Sequence, residues 1–329
     1  MYRQSNQWIE DVCYEAGHIQ KVLSEIRTNF DAYFSEFVDS TAGTSVSTAD
    51  FERLQQSLGL VGKVTRSKRK NDLTDKYRTI VVNAIDDFER DRQKYLDILD
   101  EEGLEEEGDN VAAFKSKTLR IDCPVIHSTL YNKQAKELDK YRRDFSLADP
   151  MVLYTTVKNI RDFAGEYAEE CYDPETYDSI SSYEELGMGR MDTEDCTAYG
   201  VIGGGIKSHL VYKLYPGLFP NRSRSAVWAL WYLTGKKEFG CEMDSEFLMI
   251  DVEQTTTQQN YNYPYELFAY YAFEIYKLLK AKAATLDVDI DNEYRYVVVD
   301  AFLNYVADQH ESEIAFFKAQ IRDGGPGYA

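Results

Sequence analysis

The chain has 329 residues, of which 37 are Lys or Arg and 57 are Asp or Glu, and it carries a formal charge of −20 at pH 7. Its 43% hydrophobic residues suffice for a sizeable core and exclude a disordered chain. The acidic balance excludes a protein that coats nucleic acid over its whole surface, so any polyanion site is expected to be local.

From Asn6 to Val38, apolar residues recur at spacings of three and four (Ile19, Val22, Leu23, Ile26, Phe30, Phe34, Phe37), which predicts one long amphipathic helix. The Ser/Thr/Gly-rich segment from Asp39 to Ser47 breaks it, and Ser47 or Thr48 would cap a short helix that stops at Gly59. A basic loop from Lys63 to Lys70 leads to a second long helix through Tyr77, Ile80, Val81, Ile85, Phe88 and Tyr95. The acidic run from Glu101 to Asp109 reads as a linker, because its charge density opposes independent folding. Thr118 to Ile126 alternates as an edge strand would, with helix expected again from Ser128 to Phe145. Asp149 followed by Pro150 marks a capped helix start, with apolar positions reaching Cys171. The last third reads as a Gly-rich turn, two helices, a short apolar run from Phe247 to Ile250, a Tyr-rich loop, and two further helices over Pro264 to Ala284 and Asn292 to Ile321. The expected fold is therefore mainly α and multi-helical, with a long N-terminal hairpin or bundle and at most a small β element. The expected division is 1–109, 110–195 and 196–329.

The sharpest chemical feature is that residues 196 to 237 contain no acid, where composition would place about seven. Lys207, Lys213, Arg222, Arg224, Lys236 and Lys237 all lie in this stretch. Gly203, Gly204 and Gly205 precede Lys207 and Ser208 at a helix start, where free N–H groups and a positive dipole end favour an anion. Arg222 and Arg224 flank the next helix start, where an anion would offset their repulsion by the dipole. The expected anion site is thus Gly203, Gly204, Gly205, Lys207, Ser208, Arg222, Arg224, Lys236 and Lys237. The competing reading is close helix packing at the glycines, with each cation paired to acids from elsewhere. Ile206 before Lys207 and the lack of a preceding strand exclude a P-loop.

The loop TTTQQNYNYPY offers Gln258, Asn260, Tyr261 and Tyr263 for stacking on and reading a base. Asp244, Glu246, Asp251 and Glu253 bracket a short strand, as Mg²⁺ ligands of a nuclease would. The five scattered cysteines contain no CxxC pair and read as reduced core thiols, and the four histidines read as structural. The 26 tyrosines suit packing, an interface or a stacking platform. The N-terminus lacks a signal-peptide pattern and Ala226 to Leu233, the longest strongly apolar run, falls short of a membrane span, so a cytoplasmic setting is expected. The leading expectation is a protein that binds nucleic acid, a nucleotide or another phosphate ligand. A Mg²⁺-dependent nuclease and a scaffold with a protein partner or a second copy of itself are the alternatives. No catalytic residue is assignable from sequence.

Overall fold

Helix α1 (Ala16–Asp39) buries Ile19, Val22, Leu23, Ile26, Phe30, Phe34 and Phe37 on one face, the stripe that its three- and four-residue spacing demands. The computed structural model describes residues 11–40, 68–132, 135, 138–241, 245–251 and 256–323. The expected short helix before Gly59 and the basic residues Lys63 and Arg66 lie outside these residues. Helix α2 (Lys68–Ile98) has 31 residues and packs on α1, with the Phe34 ring edge-on to Tyr77 at 5.3 Å.

Several segments differ from expectation: the first helix starts at Ala16, after a separate helical turn over Asp11–Tyr14, Lys68 to Lys70 belong to α2 rather than to a loop, and the one helix expected over Asn292 to Ile321 is two, parted at His310. The acidic run forms helix α3 (Glu101–Glu107), with Asp100 as its cap accepting from the Gly103 N–H at 3.0 Å. Acids suit the first turn of a helix, and Leu104 anchors this one in the core. The stretch expected to be extended is instead π-helical from Phe114 to Asp122, followed by α4 (Pro124–Tyr131) with Pro124 at its first position. Pro124 therefore opens a helix rather than weakening a strand. Phe114, Thr118 and Leu119 face the core at spacings of four and one, so alternation was the wrong period for this segment.

Helices α5 (Asp139–Leu147) and α6 (Pro150–Glu166) follow. Asp149 caps α6 by accepting from the Met151 N–H at 2.8 Å, and a π-helical turn continues to Cys171. After the short α7 (Tyr183–Leu186) come α8 (Gly204–Leu214) and α9 (Arg224–Leu233). The only sheet among the described residues is an antiparallel hairpin of β1 (Leu248–Asp251) and β2 (Thr256–Gln259), with Leu248 opposite Gln259.

The centre is built from α10 (Tyr265–Leu286) and α11 (Arg295–Gln309). In α10 every residue from Leu267 to Phe273 is buried, so this stretch of the helix is covered on all sides, while its C-terminal half keeps a wet face with Lys277, Lys280 and Lys282. Helices α1 and α2 both pack on α10 and α11, α9 lies along α11, and α12 (Glu311–Asp323) lies across β2. One contiguous core draws on residues from Cys13 to Ile314, so all three expected segments contribute to it. Among the described residues no helix is long and apolar enough to cross a membrane.

The turn after α8 shows how tightly the layers meet. A Cβ on Gly217 would stand 2.6 Å from the Asn292 carbonyl oxygen and 3.0 Å from the Glu293 Cα, both backbone atoms that cannot rotate away. Gly17→Ala meets open space inside α1. In urea unfolding, Gly217→Ala is expected to lose about 1–3 kcal/mol through overpacking, whereas Gly17→Ala gains up to about 1 kcal/mol through helix propensity. Equal effects would contradict this account of the turn.

Candidate functional site

A tight turn closed by an Ala198–Ile202 bridge, with Gly200 at φ +80°, delivers the chain to the start of α8. Gly203 is the cap residue of α8 and supplies no side-chain bond to the helix. The Arg222 side chain reaches this helix start rather than that of α9. Its Nη1 lies so close to Gly204 that a Cβ there would be 2.2 Å away, so only glycine admits the guanidinium. Arg222 is 3% exposed; its Nη2 donates to the Asn260 carbonyl at 3.0 Å and its Nε has no partner. Its backbone N–H donates to Ser208 Oγ at 3.1 Å, and Ser208 Oγ donates to the Gly205 carbonyl at 3.0 Å. Among the described residues no carboxylate stands within ion-pairing distance of the guanidinium. Burial lowers its pKa to about 10, against the field of the more distant Asp192.

Lys207 is buried beneath the same helix start, where Nζ donates to the Met191 carbonyl and to Thr197 Oγ1 and stands 3.9 Å from Asp192. Burial lowers its pKa, opposed by Asp192. Asp192 caps α10, accepting from the Tyr265 and Glu266 N–H groups at 2.8 and 3.0 Å. Burial raises its pKa, against Lys207 and those N–H groups. Lys207 is therefore already engaged.

The other expected cations do not converge here. Arg224 is exposed in the first turn of α9, and that helix is capped by Ser223, which accepts from the Ala226 N–H at 3.0 Å. Lys236 and Lys237 lie at the far end of α9, paired at 2.7 Å with Glu313 and Glu25 respectively. Lys213 pairs with Asp91 at 2.6 Å. Asp192, Glu313, Glu25 and Asp91 all come from outside the acid-free stretch, which accounts for much of its bias. A separate cleft of about 720 Å³, lined by Lys94, Asp97, Glu106, Glu107, Lys117 and Asp122, has twice as many acids as bases among these groups and does not suit an anion.

Two of the four residues expected to read a base, Asn260 and Tyr263, are buried. Gln258 lies in β2 with its backbone opposite Met249. Asn260 is buried, its Nδ2 donating to the Glu246 carbonyl and its Oδ1 accepting from the Asn262 N–H, both at 3.0 Å. Tyr263 is buried against Phe247, and Tyr261 is 46% exposed.

Of the expected Mg²⁺ ligands, Asp244 and Glu253 lie outside the described residues, as does the side chain of Asp251 at the end of β1. Glu246 is 1% exposed, and among the described residues the donor groups beside it are an imidazole and two thiols. It contacts His18 Nε2, and Cys13, His18, Cys241 and Glu246 each bring one donor atom to within 4.8 Å of all the others. Thiols and imidazole are the wrong company for Mg²⁺, which takes oxygen ligands. Cys13 and His18 had read only as a core thiol and a structural histidine. Their one trace in sequence is a shared spacing, with four residues between Cys13 and His18 and four between Cys241 and Glu246. No protein-family model, curated protein or solved structure matches the chain.

Beside α8, Asp300 accepts from Asn221 Nδ2 and Asn304 Nδ2 at 3.2 and 3.1 Å, and His209 Nε2 meets the Tyr95 hydroxyl at 3.1 Å. Burial raises Asp300 to about 7 and lowers His209 to about 4. Between roughly pH 4 and 7 the folded chain holds a proton on Asp300 that the unfolded chain has lost, so that contribution falls as pH rises. His209 is neutral when folded and charged when unfolded between roughly pH 4 and 6.5, so its contribution rises with pH. The two slopes oppose each other. Asp300→Asn removes one of them, and its stability relative to wild type is expected to grow by up to about 1.4 kcal/mol per pH unit between about pH 4 and 7. Urea melts across that range check this, and a pH-independent difference would refute it.

Proposed function

We propose that this protein binds a small phosphate-bearing anion at the N-terminus of α8, with Arg222 as the counter-charge. The observation that carries this reading is the Arg222 guanidinium, which is buried, lacks an ion-pair partner among the described residues, leaves Nε without a bond, and lies against Gly204 at a helix start with no side-chain cap. A cation there is opposed by the helix dipole and by its own desolvation. An anion bridging the Gly204–Ile206 N–H groups and the guanidinium reverses the first effect and offsets the second.

A small ligand is favoured over a nucleic-acid backbone. Lys236 and Lys237 lie beyond the far end of α9, a helix about 15 Å long, and are paired there with Glu313 and Glu25, and Lys207 is turned inward. A cytoplasmic setting accompanies this reading, supported by cysteine thiols that are not joined as disulfides.

Calorimetric titration with pyrophosphate and with a nucleoside diphosphate tests it. Arg222→Met keeps the bulk and removes the charge, and is expected to weaken binding about 10–100-fold, the worth of one charge-assisted hydrogen-bonded contact. Lys236→Ala with Lys237→Ala is expected to leave affinity unchanged. Equal binding by wild type and Arg222→Met would sink the proposal.

A further inference from the structure

We infer that Cys13, His18, Cys241 and Glu246 form a closed, four-ligand site for one zinc-class divalent ion, which fastens the N-terminal helix to the hairpin. The inference is independent of the anion site.

Local structure brings the donors in as two pairs. Cys13 lies in the single helical turn Asp11–Tyr14 and His18 in the first turn of α1, so both project from one end of that helix. Cys241 and Glu246 precede β1, 228 residues away from their partners in sequence. The sulfurs of Cys13 and Cys241 stand 3.6 Å apart. Two thiolates on a tetrahedral ion with metal–sulfur bonds of about 2.3 Å stand roughly 3.8 Å apart, close to the separation at which the two thiols here meet in an S–H···S contact, so an ion needs only a small adjustment of the sulfurs and a parting of the His18–Glu246 contact. The observed separation is far longer than the roughly 2 Å of a disulfide bond.

Protein partners leave the chemistry of this cluster incomplete. His18 and Glu246 touch through Nε2 and Oε1, yet His18 Nδ1 and Glu246 Oε2 are both buried without a hydrogen-bond partner. A carboxylate that is 1% exposed with one oxygen unsatisfied is costly. An ion coordinated by the His18, Glu246 and sulfur donors supplies the missing positive charge. Two thiolates, an imidazole and a carboxylate form a mixed sulfur, nitrogen and oxygen set that suits zinc and excludes calcium and magnesium. Four protein ligands leave no open position for substrate, so the ion is structural rather than catalytic.

Binding is balanced by proton release. The divalent ion, two thiols, one carboxylate and one neutral imidazole give a complex of net charge −1 and two protons. The buried hydroxyls of Tyr263 and Tyr271 have no hydrogen-bond partner among the described residues, so both are unspent donors in the same core.

Cobalt(II) added to the reduced, chelator-treated full-length chain provides the test, because thiolate ligation gives a sulfur-to-cobalt charge-transfer band and tetrahedral geometry gives strong visible bands. Wild type is expected to bind one ion with both signatures, zinc(II) to bleach them, and a weakly buffered titration to release two protons per ion. Cys241→Ser, at a half-buried loop position, is expected to lower affinity by more than the roughly 10–100-fold that loss of an outer-shell partner costs, while exposed Cys171→Ser retains wild-type behaviour. Absence of the charge-transfer band in wild type overturns the inference whatever the variants do. An undiminished band in Cys241→Ser also overturns it.

Discussion

Four basic side chains, Lys207, Lys213, Arg222 and Arg295, are each at most 5% exposed, and the architecture around them is largely an answer to that burial. A buried charge needs partners within reach or it costs several kcal/mol. Lys213 finds Asp91 and the Phe88 carbonyl, with its ammonium 4.3 Å from the Phe88 ring centre. Lys207 finds two oxygen acceptors and the field of Asp192, which at the same time caps the central helix α10. These bonds tie α8 to α2 and to the start of α10, so the placement of the cations and the packing of the core are one problem.

The tyrosines take part in the same solution. Arg295 has its guanidinium 4.2 Å from the Tyr177 ring centre and is flanked by the rings of Tyr172 and Tyr276. The Tyr177 and Tyr296 hydroxyls share a hydrogen bond at 2.7 Å. A phenol ring offers a cation its negative face and still buries a large apolar area. An acidic protein with 26 tyrosines can therefore hold arginine in its interior without spending an acid on it. Arg222 is the exception: among the described residues it has neither an acid at ion-pairing distance nor a ring of this kind, only a carbonyl and a glycine-rich helix start.

Clusters of this kind explain which features were legible in one dimension. The α1 stripe, the Asp149–Pro150 start of α6 and the unusual glycine run before α8 are local patterns, and each stands where the sequence placed it. The meaning of the glycine run was not local. Gly204 is needed because Arg222, eighteen positions further on, lies against it, whereas the same glycines read alone resemble an imperfect phosphate loop. The helix at Glu101–Glu107 was obscured by its charge, since the single buried Leu104 that anchors it carries no periodicity.

What the sequence by itself determined is the helical class, the main helix starts and the presence of a stretch depleted of acids, because hydrophobic spacing, capping residues and composition act within a few turns of chain. Which of the described cations are engaged in internal pairs, and which cysteines meet a histidine and a glutamate, were decided only by tertiary structure. Cys13 and Cys241 are separated by 228 residues, and Lys237 reaches Glu25 across nearly the same span. Contacts at that separation arise from the packing of α1 against the C-terminal helices, and no periodicity in the chain records them.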